Sequence, residues 1–302
     1  MYRAEISLHG SGIGVIDTLP TGVIRTRNAL GRRFIEVDHP AVHARIAEQG
    51  AQIIACAPTG QQPLLWMSPV DPAKPDTALR GGIPLCWPWF ADERPGPAHG
   101  IARTSHWQLR LAEADSQQVR LVLELPEQEI ARQLPGEHWA VQVEMVLGSS
   151  LSVTLTTTNT GPRPQPLSQA LHSYLPVDDI DSAQILGLEG ASYIDKLQAG
   201  AQCRQQGPVR FSGEVDRVYF DTTADVQLLD GSGEPLWVQR RNSQSVVVWN
   251  PWQAKGARLS QFPADGYRGM VCIEAANAGP DARLVEAGQT HWLQTIISRH
   301  PP

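Results

Sequence analysis

Apolar and polar residues alternate along several runs of the chain, and this two-residue period constrains the fold more than any other feature of the sequence. In the run Gln118–Leu125 every second residue is Val or Leu, and the run Ala140–Leu147 repeats the pattern with one Met. The alternation resumes over 151–155 and stops at the turn sequence Asn-Thr-Gly-Pro that begins at Asn159. Because successive side chains point to opposite faces of a strand, these runs predict strands with one buried face.

Further runs with strand character are separated by Gly, Pro, Asn and Asp. They are Asp225–Leu229, Pro235–Gln239, Ser245–Trp249, Met270–Ala275 and His291–Ser298. A helix of two turns is predicted over 126–134, with Pro126 at its first position and Pro135 closing it. Strands and helices do not alternate along the chain, which disfavours a doubly wound fold. We therefore predict an all-β protein, a large antiparallel β-sandwich that forms one domain over residues 1–302.

Composition argues against several other classes of protein. The 26 Gly and 24 Pro disfavour long helices, and nine Trp with a net charge of only −6 disfavour a disordered chain. The acidic balance also predicts no nucleic-acid partner. The four cysteines are scattered and lack a CxxC pair, which favours free thiols over disulfides or a zinc site.

The sequence also predicts a location. The N-terminal residues lack the basic start and apolar run of a signal peptide, and no stretch approaches 18 apolar residues. We therefore expect a cytoplasmic protein without a membrane partner, with a monomer as the favoured state. The Gly-rich segment 10–14 predicts a surface strand and turn rather than a phosphate-binding loop.

Common catalytic motifs, such as G-x-S-x-G, the Walker loop, G-x-G-x-x-G and H-E-x-x-H, do not occur in the sequence. Polar side chains inside apolar segments are more informative, because burying an ionised carboxylate is costly unless it is paired or used. Glu274 in the segment MVCIEAA is one such residue, and its structural alternative is a salt bridge to an arginine. His172, His99, Arg80 and Arg103 lie in similar segments, although isolated histidines are more often surface or core residues than catalysts.

Six segments occur in an order that resembles the D-hexose-6-phosphate mutarotase family, the glucose-6-phosphate 1-epimerases related to aldose 1-epimerases. They read RGGIPLCWPWF, HGIAR, ALHSY, VDRVY, VVVWNPW and GYRGMVCIEAA, and the resemblance runs from about His39 to Ser298. It implies a sandwich of the galactose-mutarotase type. It also implies interconversion of the α and β anomers of a hexose 6-phosphate, without a metal or an organic cofactor.

The resemblance implies a role for each of four polar residues. Glu274 matches the family's general base and His172 its general acid. Such groups suit a reaction that takes a proton from the anomeric hydroxyl and gives one to the ring oxygen. His99 matches a histidine near the sugar ring, and Asp216 matches a carboxylate that binds sugar hydroxyls. From the sequence alone, a turn or strand-end residue is the commoner interpretation of Asp216.

Two arginines match arginines in the family's RGGIP and HG-x-AR motifs. Arg80 and Arg103 are assigned to the 6-phosphate, because a planar guanidinium can bond two phosphate oxygens at once. Their structural alternatives are the start of a strand and a surface ion pair. Gly81 and Gly82 are expected to let the backbone approach a ligand closely. The candidates for a wall of the sugar pocket, with core packing as the alternative, are Trp87, Trp89, Trp249 and Trp252.

Three hypotheses for function follow from these residues. The leading one is a hexose-6-phosphate mutarotase. The second is a mutarotase for unphosphorylated aldoses, and the positions of Arg80 and Arg103 discriminate it from the first. The third is a non-catalytic carbohydrate-binding or regulatory module on the same sandwich, and the joint presence of His172 and Glu274 argues against it.

Overall fold

Antiparallel strands are the main secondary structure of residues 18–72, 74, 76–231 and 234–301, which the computed structural model describes. The strands before residue 180 are β1 (Val23–Arg27), β2 (Arg33–His39), β3 (Val42–Ala47), β4 (Gln52–Pro58), β5 (Leu85–Cys86), β6 (Gln108–Ala114), β7 (Val119–Leu125), β8 (Trp139–Leu147), β9 (Leu151–Asn159), β10 (Gln165–Leu167), β11 (Gln169–Leu171) and β12 (Tyr174–Pro176). Those after it are β13 (Gln184–Leu186), β14 (Ser192–Asp195), β15 (Ala201–Arg204), β16 (Val209–Arg210), β17 (Val215–Phe220), β18 (Val226–Leu229), β19 (Leu236–Arg241), β20 (Ser245–Asn250), β21 (Met270–Asn277), β22 (Arg283–Val285) and β23 (Thr290–Ser298). The segment 10–14, predicted as a strand and turn, lies outside the described residues.

The strongest alternating runs form one half of a nine-stranded sheet with the order β16-β13-β18-β19-β23-β9-β8-β7-β6. In β8, every second residue from Trp139 to Leu147 is buried. Val143 in β8 lies opposite Leu123 in β7 on one side and Leu155 in β9 on the other. This register is well specified, because a slip of one residue would turn the apolar set outward. The strands predicted in these runs are confirmed.

A second sheet has eight strands, in the order β15-β14-β17-β20-β21-β11-β5 with β12 also paired to β21. Contacts of β21 with β19 and β23 join the two sheets. Strands β20 and β21 are buried at every position. Val248 and Ile273 belong to the main apolar cluster, whereas the adjacent Val247 and Glu274 line a cavity. The antiparallel sandwich predicted from the sequence is confirmed by this arrangement.

A four-stranded sheet, β1-β2-β3-β4, and a small pair, β10-β22, complete the described strands. The four-stranded sheet was not among the predicted strands. Its outer face carries an ion pair between Arg45 of β3 and Glu36 of β2 at 2.9 Å, while Ile35 and Ile46 are fully buried on the inner face. The main apolar cluster runs from Val23 in this sheet to residues of β23, which ties the first described strand to the last.

The described helices are short: α1 (Glu127–Gln133) and α2 (Trp252–Gly256). The predicted helix after Pro126 is confirmed, but Pro126 itself is the extended residue before the helix, with ψ 138°, rather than its first turn. The helix α2 was not predicted. None of the described helices has the length and apolar character needed to cross a membrane. The 3-10 turns lie at Ala102–Thr104, Lys196–Gln198, Gly266–Gly269 and Gly279–Asp281.

The packing between strands predicts the effect of one core substitution. Leu155 is fully buried between β8 and β23, whereas Leu284 in β22 is 63% exposed. Leu155→Ala is expected to lower the free energy of unfolding by about 2–5 kcal/mol, because it removes buried apolar contacts and leaves a cavity. The control, Leu284→Ala, is expected to change it by less than about 0.5 kcal/mol. Urea unfolding followed by Trp fluorescence measures both, and equal effects would contradict the described packing.

Candidate active site

One cavity of about 360 Å³ brings together all six residues singled out in the sequence. They are Arg80, His99, Arg103, His172, Asp216 and Glu274. These side chains come from strands and from the loops beside them, so the sheet pairing, and not closeness in sequence, assembles the group. Their placement in one cavity is a finding, whereas their individual roles stay predictions.

The pairing of β21 explains why His172 meets Glu274. Strands β11 and β12 both pair with β21, with Leu171 opposite Ala275 and Tyr174 opposite Cys272. The two residues that link β11 to β12 therefore cross β21 beside Glu274. There the Nε2 atom of His172 lies 3.4 Å from Oε1 of Glu274.

Burial controls the charge of this pair. Glu274 is only 1% exposed and His172 only 8%. Burial raises the pKa of Glu274 well above its ordinary value, with the Asp216 carboxylate adding to the effect and Lys196 and Arg103 opposing it. Burial lowers the pKa of His172 well below its ordinary value, and His99 and Arg103 add to that effect. Each group therefore resists its charged form, as expected for ionisable groups taken out of water.

Two polar atoms of the pair have no hydrogen-bond partner among the described residues. They are Nδ1 of His172 and Oε2 of Glu274. Buried polar atoms are nearly always bonded in folded proteins. These two atoms of a neighbouring acid and base are therefore available to bond a ligand.

Aromatic rings fix the plane of the His172 imidazole. The Tyr174 ring stacks on it with centroids 4.8 Å apart, and the Trp249 ring meets its edge at 5.9 Å. Trp249 lines the cavity, as one of the predicted wall residues. By contrast, Trp87 and Trp89 are buried at 0% and 2% exposure and belong to the apolar cluster, which is the core alternative for that motif.

The remaining tryptophan of the second motif, Trp252, packs against Tyr267 with ring centroids 5.3 Å apart. It is not among the described residues that line the cavity. Of the four tryptophans considered from sequence, the structure therefore places Trp249 alone against this cavity.

The loop of His99 holds its imidazole in one tautomer. His99 has a left-handed backbone, with φ 65°, a conformation that is uncommon for residues other than Gly and is concentrated at functional sites. The backbone N–H of Ala91 donates to Nδ1 of His99 at 3.2 Å, which leaves the ring proton on Nε2. Burial lowers the pKa of His99 to about 3, with nearby Arg103, Lys196 and Arg80 adding to the effect. His99 is therefore a neutral hydrogen-bond donor at physiological pH.

The two candidate phosphate ligands carry uncompensated charge. Nε of Arg80 donates to the carbonyl oxygen of Ser260 at 2.8 Å, and Nη2 of Arg103 donates to that of Ala98 at 2.7 Å. Neither guanidinium has an ion pair with an acid in the described part of the chain. Backbone carbonyls hold both side chains in place without neutralising them, so each retains donors and charge for an anion.

Gly81 and Gly82 closely approach neighbouring backbone, and neither is among the described residues that line the cavity. The expectation that they approach a ligand stays a prediction. A Cβ on Gly82, which has φ 61°, would lie 2.0 Å from the carbonyl oxygen of Ile53, and one on Gly81 would lie 2.6 Å from Cα of Met67. The glycines allow the chain after Arg80 to cross β4 in close contact, which fixes the point from which Arg80 enters the cavity.

Two lysines in the cavity were missed by the sequence reasoning. Lys196 follows β14 and lies with Nζ 4.5 Å from the centre of the Phe90 ring, and Lys255 belongs to α2. Nζ of Lys196 lies 3.9 Å from Oδ1 of Asp216, and Nζ of Lys255 lies 3.8 Å from Oδ2. The sequence contained no motif around either lysine. Only the pairing of β14 and β20 with β17 brings them to Asp216.

One group of side chains has the donor types of a metal site. Ligand atoms of His172, Cys272 and Glu274 lie within 4.8 Å of one another. Burial, however, raises the pKa of the Cys272 thiol well above its ordinary value, with Glu274 adding to the effect. Four cationic side chains also line the same cavity and oppose a further cation. We therefore assign no metal to these residues, and the expectation of a site without metal or cofactor stays a prediction.

The comparison with known families gives the class of the protein. The sequence model of the family described as "Aldose 1-epimerase" matches residues 33–298. The chain therefore belongs to the aldose 1-epimerase family, and the resemblance read from its motifs is confirmed.

Individual relatives narrow the comparison within that family. The Salmonella typhimurium protein named "Putative glucose-6-phosphate 1-epimerase" is 32% identical over 286 residues, which are 93% of this chain and 95% of the relative. A protein of the same name from Escherichia coli K12 is 32% identical, covering 87% of this chain and 89% of that protein. The crystal structure of "a putative mutarotase (YeaD)" from Salmonella typhimurium matches with a TM-score of 0.86 at 30% identity, over 95% of this chain and 96% of that one.

The close contact at Gly82 makes a testable prediction. Gly82→Ala is expected to lower the free energy of unfolding by clearly more than about 1 kcal/mol, because the new Cβ meets backbone in a left-handed conformation. Gly60 is a matched control, since it has φ 77° but a Cβ added to it would meet no atom within 4 Å. Gly60→Ala carries only the conformational cost, about 1 kcal/mol. Denaturant unfolding of both variants tests this, and an equal loss of stability would contradict the contact with Ile53.

Proposed function

We propose that the protein is an isomerase that interconverts the α and β anomers of a hexose 6-phosphate of the glucose 6-phosphate type. One observation carries the proposal. A single cavity holds an acid–base pair, with His172 and Glu274 3.4 Å apart, together with Arg80 and Arg103, whose described partners are backbone carbonyls. The names of the relatives support the same substrate class.

The reaction needs a general base and a general acid, both within reach of the sugar ring. A proton must leave the anomeric hydroxyl, and another must reach the ring oxygen as the ring C–O bond breaks. In this proposal Glu274 accepts the first proton and His172 donates the second. The carbonyl then turns, and reclosure on its other face returns both protons, so the enzyme ends unchanged.

The electrostatics of the pair suit this exchange. Burial raises the pKa of Glu274 and lowers that of His172. The ionised carboxylate is therefore a stronger base than a free one, and the protonated imidazole is a stronger acid. The neutral His99, with its proton on Nε2, can donate to the ring oxygen or to a hydroxyl, and Asp216 can accept from hydroxyls.

The phosphate is assigned to Arg80 and Arg103. Phosphate carries close to two negative charges at neutral pH and binds best to guanidinium groups that no acid has already neutralised. Both arginines line the cavity, which supports the phosphorylated substrate over a free aldose. The close approach of His172 and Glu274 supports an enzyme over a non-catalytic carbohydrate-binding module.

Three further expectations stay proposals: a cytoplasmic location, a monomer, and one domain over residues 1–302. The main apolar cluster, which runs from Val23 to Ile297, supports the single domain. Limited proteolysis tests the single domain, because cleavage inside one domain should degrade its whole core and leave no stable fragment.

Replacing Glu274 tests the proposed base. Glu274→Gln keeps the shape of the side chain but cannot accept the proton, so anomer exchange is expected to fall by a factor of about 10² to 10⁴. Binding of glucose 6-phosphate is expected to remain within a few-fold. Saturation-transfer NMR measures exchange between the two anomers, and isothermal titration measures binding.

The matched control is Glu144→Gln on the outer face of β8, where Glu144 pairs with Arg120. Exchange by this control should equal that of the unmodified protein. Unchanged exchange by Glu274→Gln would rule out Glu274 as the base. Absence of exchange by the unmodified protein would rule out the proposed function.

Replacing Arg80 tests the phosphate assignment. Arg80→Ala is expected to lower kcat/KM for glucose 6-phosphate at least tenfold relative to kcat/KM for glucose, because charged hydrogen bonds contribute about 1.5–3 kcal/mol. The ratio of the two substrates cancels any general damage to the site. Arg268→Ala is the control, since Arg268 is exposed and paired with Asp181 at 3.2 Å. An unchanged ratio in Arg80→Ala would place the phosphate elsewhere.

A further inference from the structure

Asp216 lies between two ammonium groups. Lys196 faces one oxygen of its carboxylate at 3.9 Å and Lys255 faces the other at 3.8 Å. Burial raises the pKa of Asp216, with Glu214 and Asp195 adding to the effect, while the two lysines oppose it. The lysines therefore favour the ionised carboxylate in a place where burial favours the neutral acid.

These two contacts are ion pairs without hydrogen bonds. Both distances exceed the range of an N–H···O bond, and in the described part of the structure Asp216 accepts no other hydrogen bond. The carboxylate is thus charge-balanced while its lone pairs remain open. This is the state that a carboxylate needs in order to accept hydrogen bonds from two sugar hydroxyls.

The two lysines differ in what else they contact. Lys255 forms a second, shorter pair with Glu214 at 2.8 Å, so its charge is already shared between two acids. In the described structure Lys196 has Asp216 as its one acidic partner, and its ammonium lies over the Phe90 ring, which lines the same cavity as Glu274. Lys196 is also the leading cation that opposes the effect of burial on the pKa of Glu274.

The turn that carries Lys196 is anchored. The buried Asp195 accepts hydrogen bonds from the backbone N–H of Leu197 at 2.9 Å and from the side chain of Gln198 at 3.0 Å. Asp195 lies opposite Arg217 in the β14–β17 pair. Because successive residues point to opposite faces, Lys196 projects to the face of Asp216.

We infer that Lys196 is a positioning residue for the reaction, whose ammonium group keeps both Asp216 and Glu274 ready to accept a proton or a hydrogen bond from a hydroxyl. Lys255, which is held by Glu214, acts on Asp216 and not on Glu274. This inference rests on the proposed function. Lys196 does not itself touch the reacting atoms. It acts through the two carboxylates that do.

Other titratable and charged groups also surround Glu274, and the experiment must distinguish their effects on Glu274 from the effect of Lys196. The titratable neighbours are His172, Tyr174, Cys86 and Cys272. The charged neighbours are Asp216, Arg103 and Lys196. Since all but Lys196 are unchanged by a substitution at 196, a difference between variants reports on Lys196.

Removing the Lys196 charge changes the pKa of Glu274 in a definite direction. Without this cation the pKa of Glu274 rises further, so a higher pH is needed before Glu274 is ionised and able to accept a proton. The acid limb of the kcat profile should therefore move to higher pH, by roughly half to one pH unit. Titration of the substrate phosphate is common to all variants and cancels in the comparison.

The experiment compares Lys196→Met with Lys255→Met and with Lys196→Arg. Both lysines have about one third of their side chain exposed, so either change is tolerated structurally. Anomer exchange of glucose 6-phosphate is measured by saturation-transfer NMR between pH 5 and 9. In parallel, ¹³C-carboxyl NMR of protein labelled at glutamate follows ionisation of Glu274 directly, with Glu274→Gln assigning its signal.

We expect both methionine variants to raise KM at least several-fold, because each weakens the ionised state of Asp216. Only Lys196→Met should move the acid limb and the NMR midpoint of Glu274 to higher pH, and Lys196→Arg should restore both. An unmoved midpoint in Lys196→Met, or an equal move in Lys255→Met, would overturn the inference. The NMR midpoint is measured without turnover, so this result is distinct from failure of the unmodified protein to exchange anomers, which would overturn the proposed function.

Discussion

Burying an ionisable carboxyl group in the middle of a sheet is costly, and the organisation of this molecule follows from how Glu274 is accommodated. It lies at the fifth position of β21, a strand that is buried at all eight positions. The pairing of β21 with both β11 and β12 leaves a two-residue link over that position, and this link places His172 3.4 Å from the carboxyl group. The buried carboxyl group and the imidazole thus form an acid–base pair, and burial shifts both pKa values so that the neutral forms are favoured.

The second constraint is charge. The chain has a net charge of −6, yet four cationic side chains line the cavity. Two of them, Lys196 and Lys255, are paired with acids, and the other two, Arg80 and Arg103, are held by backbone carbonyls. This division separates two tasks. In the proposed function, the lysines stabilise carboxylates inside the protein, while the arginines remain open for the anion of the substrate.

Alternation of apolar and polar residues within single strands made much of the fold predictable. The pairing of strands that are distant in the sequence could not be predicted. The strands around β7, β8 and β9 follow from alternation, because one side of each is buried. The order of strands in the eight-stranded sheet has no local signature, and the lysines at 196 and 255 are found only through it. In the same way, Gly82 could be noticed from the sequence, but its partner, the carbonyl of Ile53, could be identified only in three dimensions.

The central claim is that one sugar phosphate spans the cavity, with its reacting end at Glu274 and His172 and its phosphate at Arg80 and Arg103. A crystal structure of Glu274→Gln with glucose 6-phosphate tests this most directly, because the variant retains the substrate without turning it over. We predict the anomeric hydroxyl within hydrogen-bond distance of residue 274, the ring oxygen near His172, and phosphate oxygens on the two guanidinium groups. A phosphate bound away from both arginines, or an anomeric carbon remote from residue 274, would contradict it.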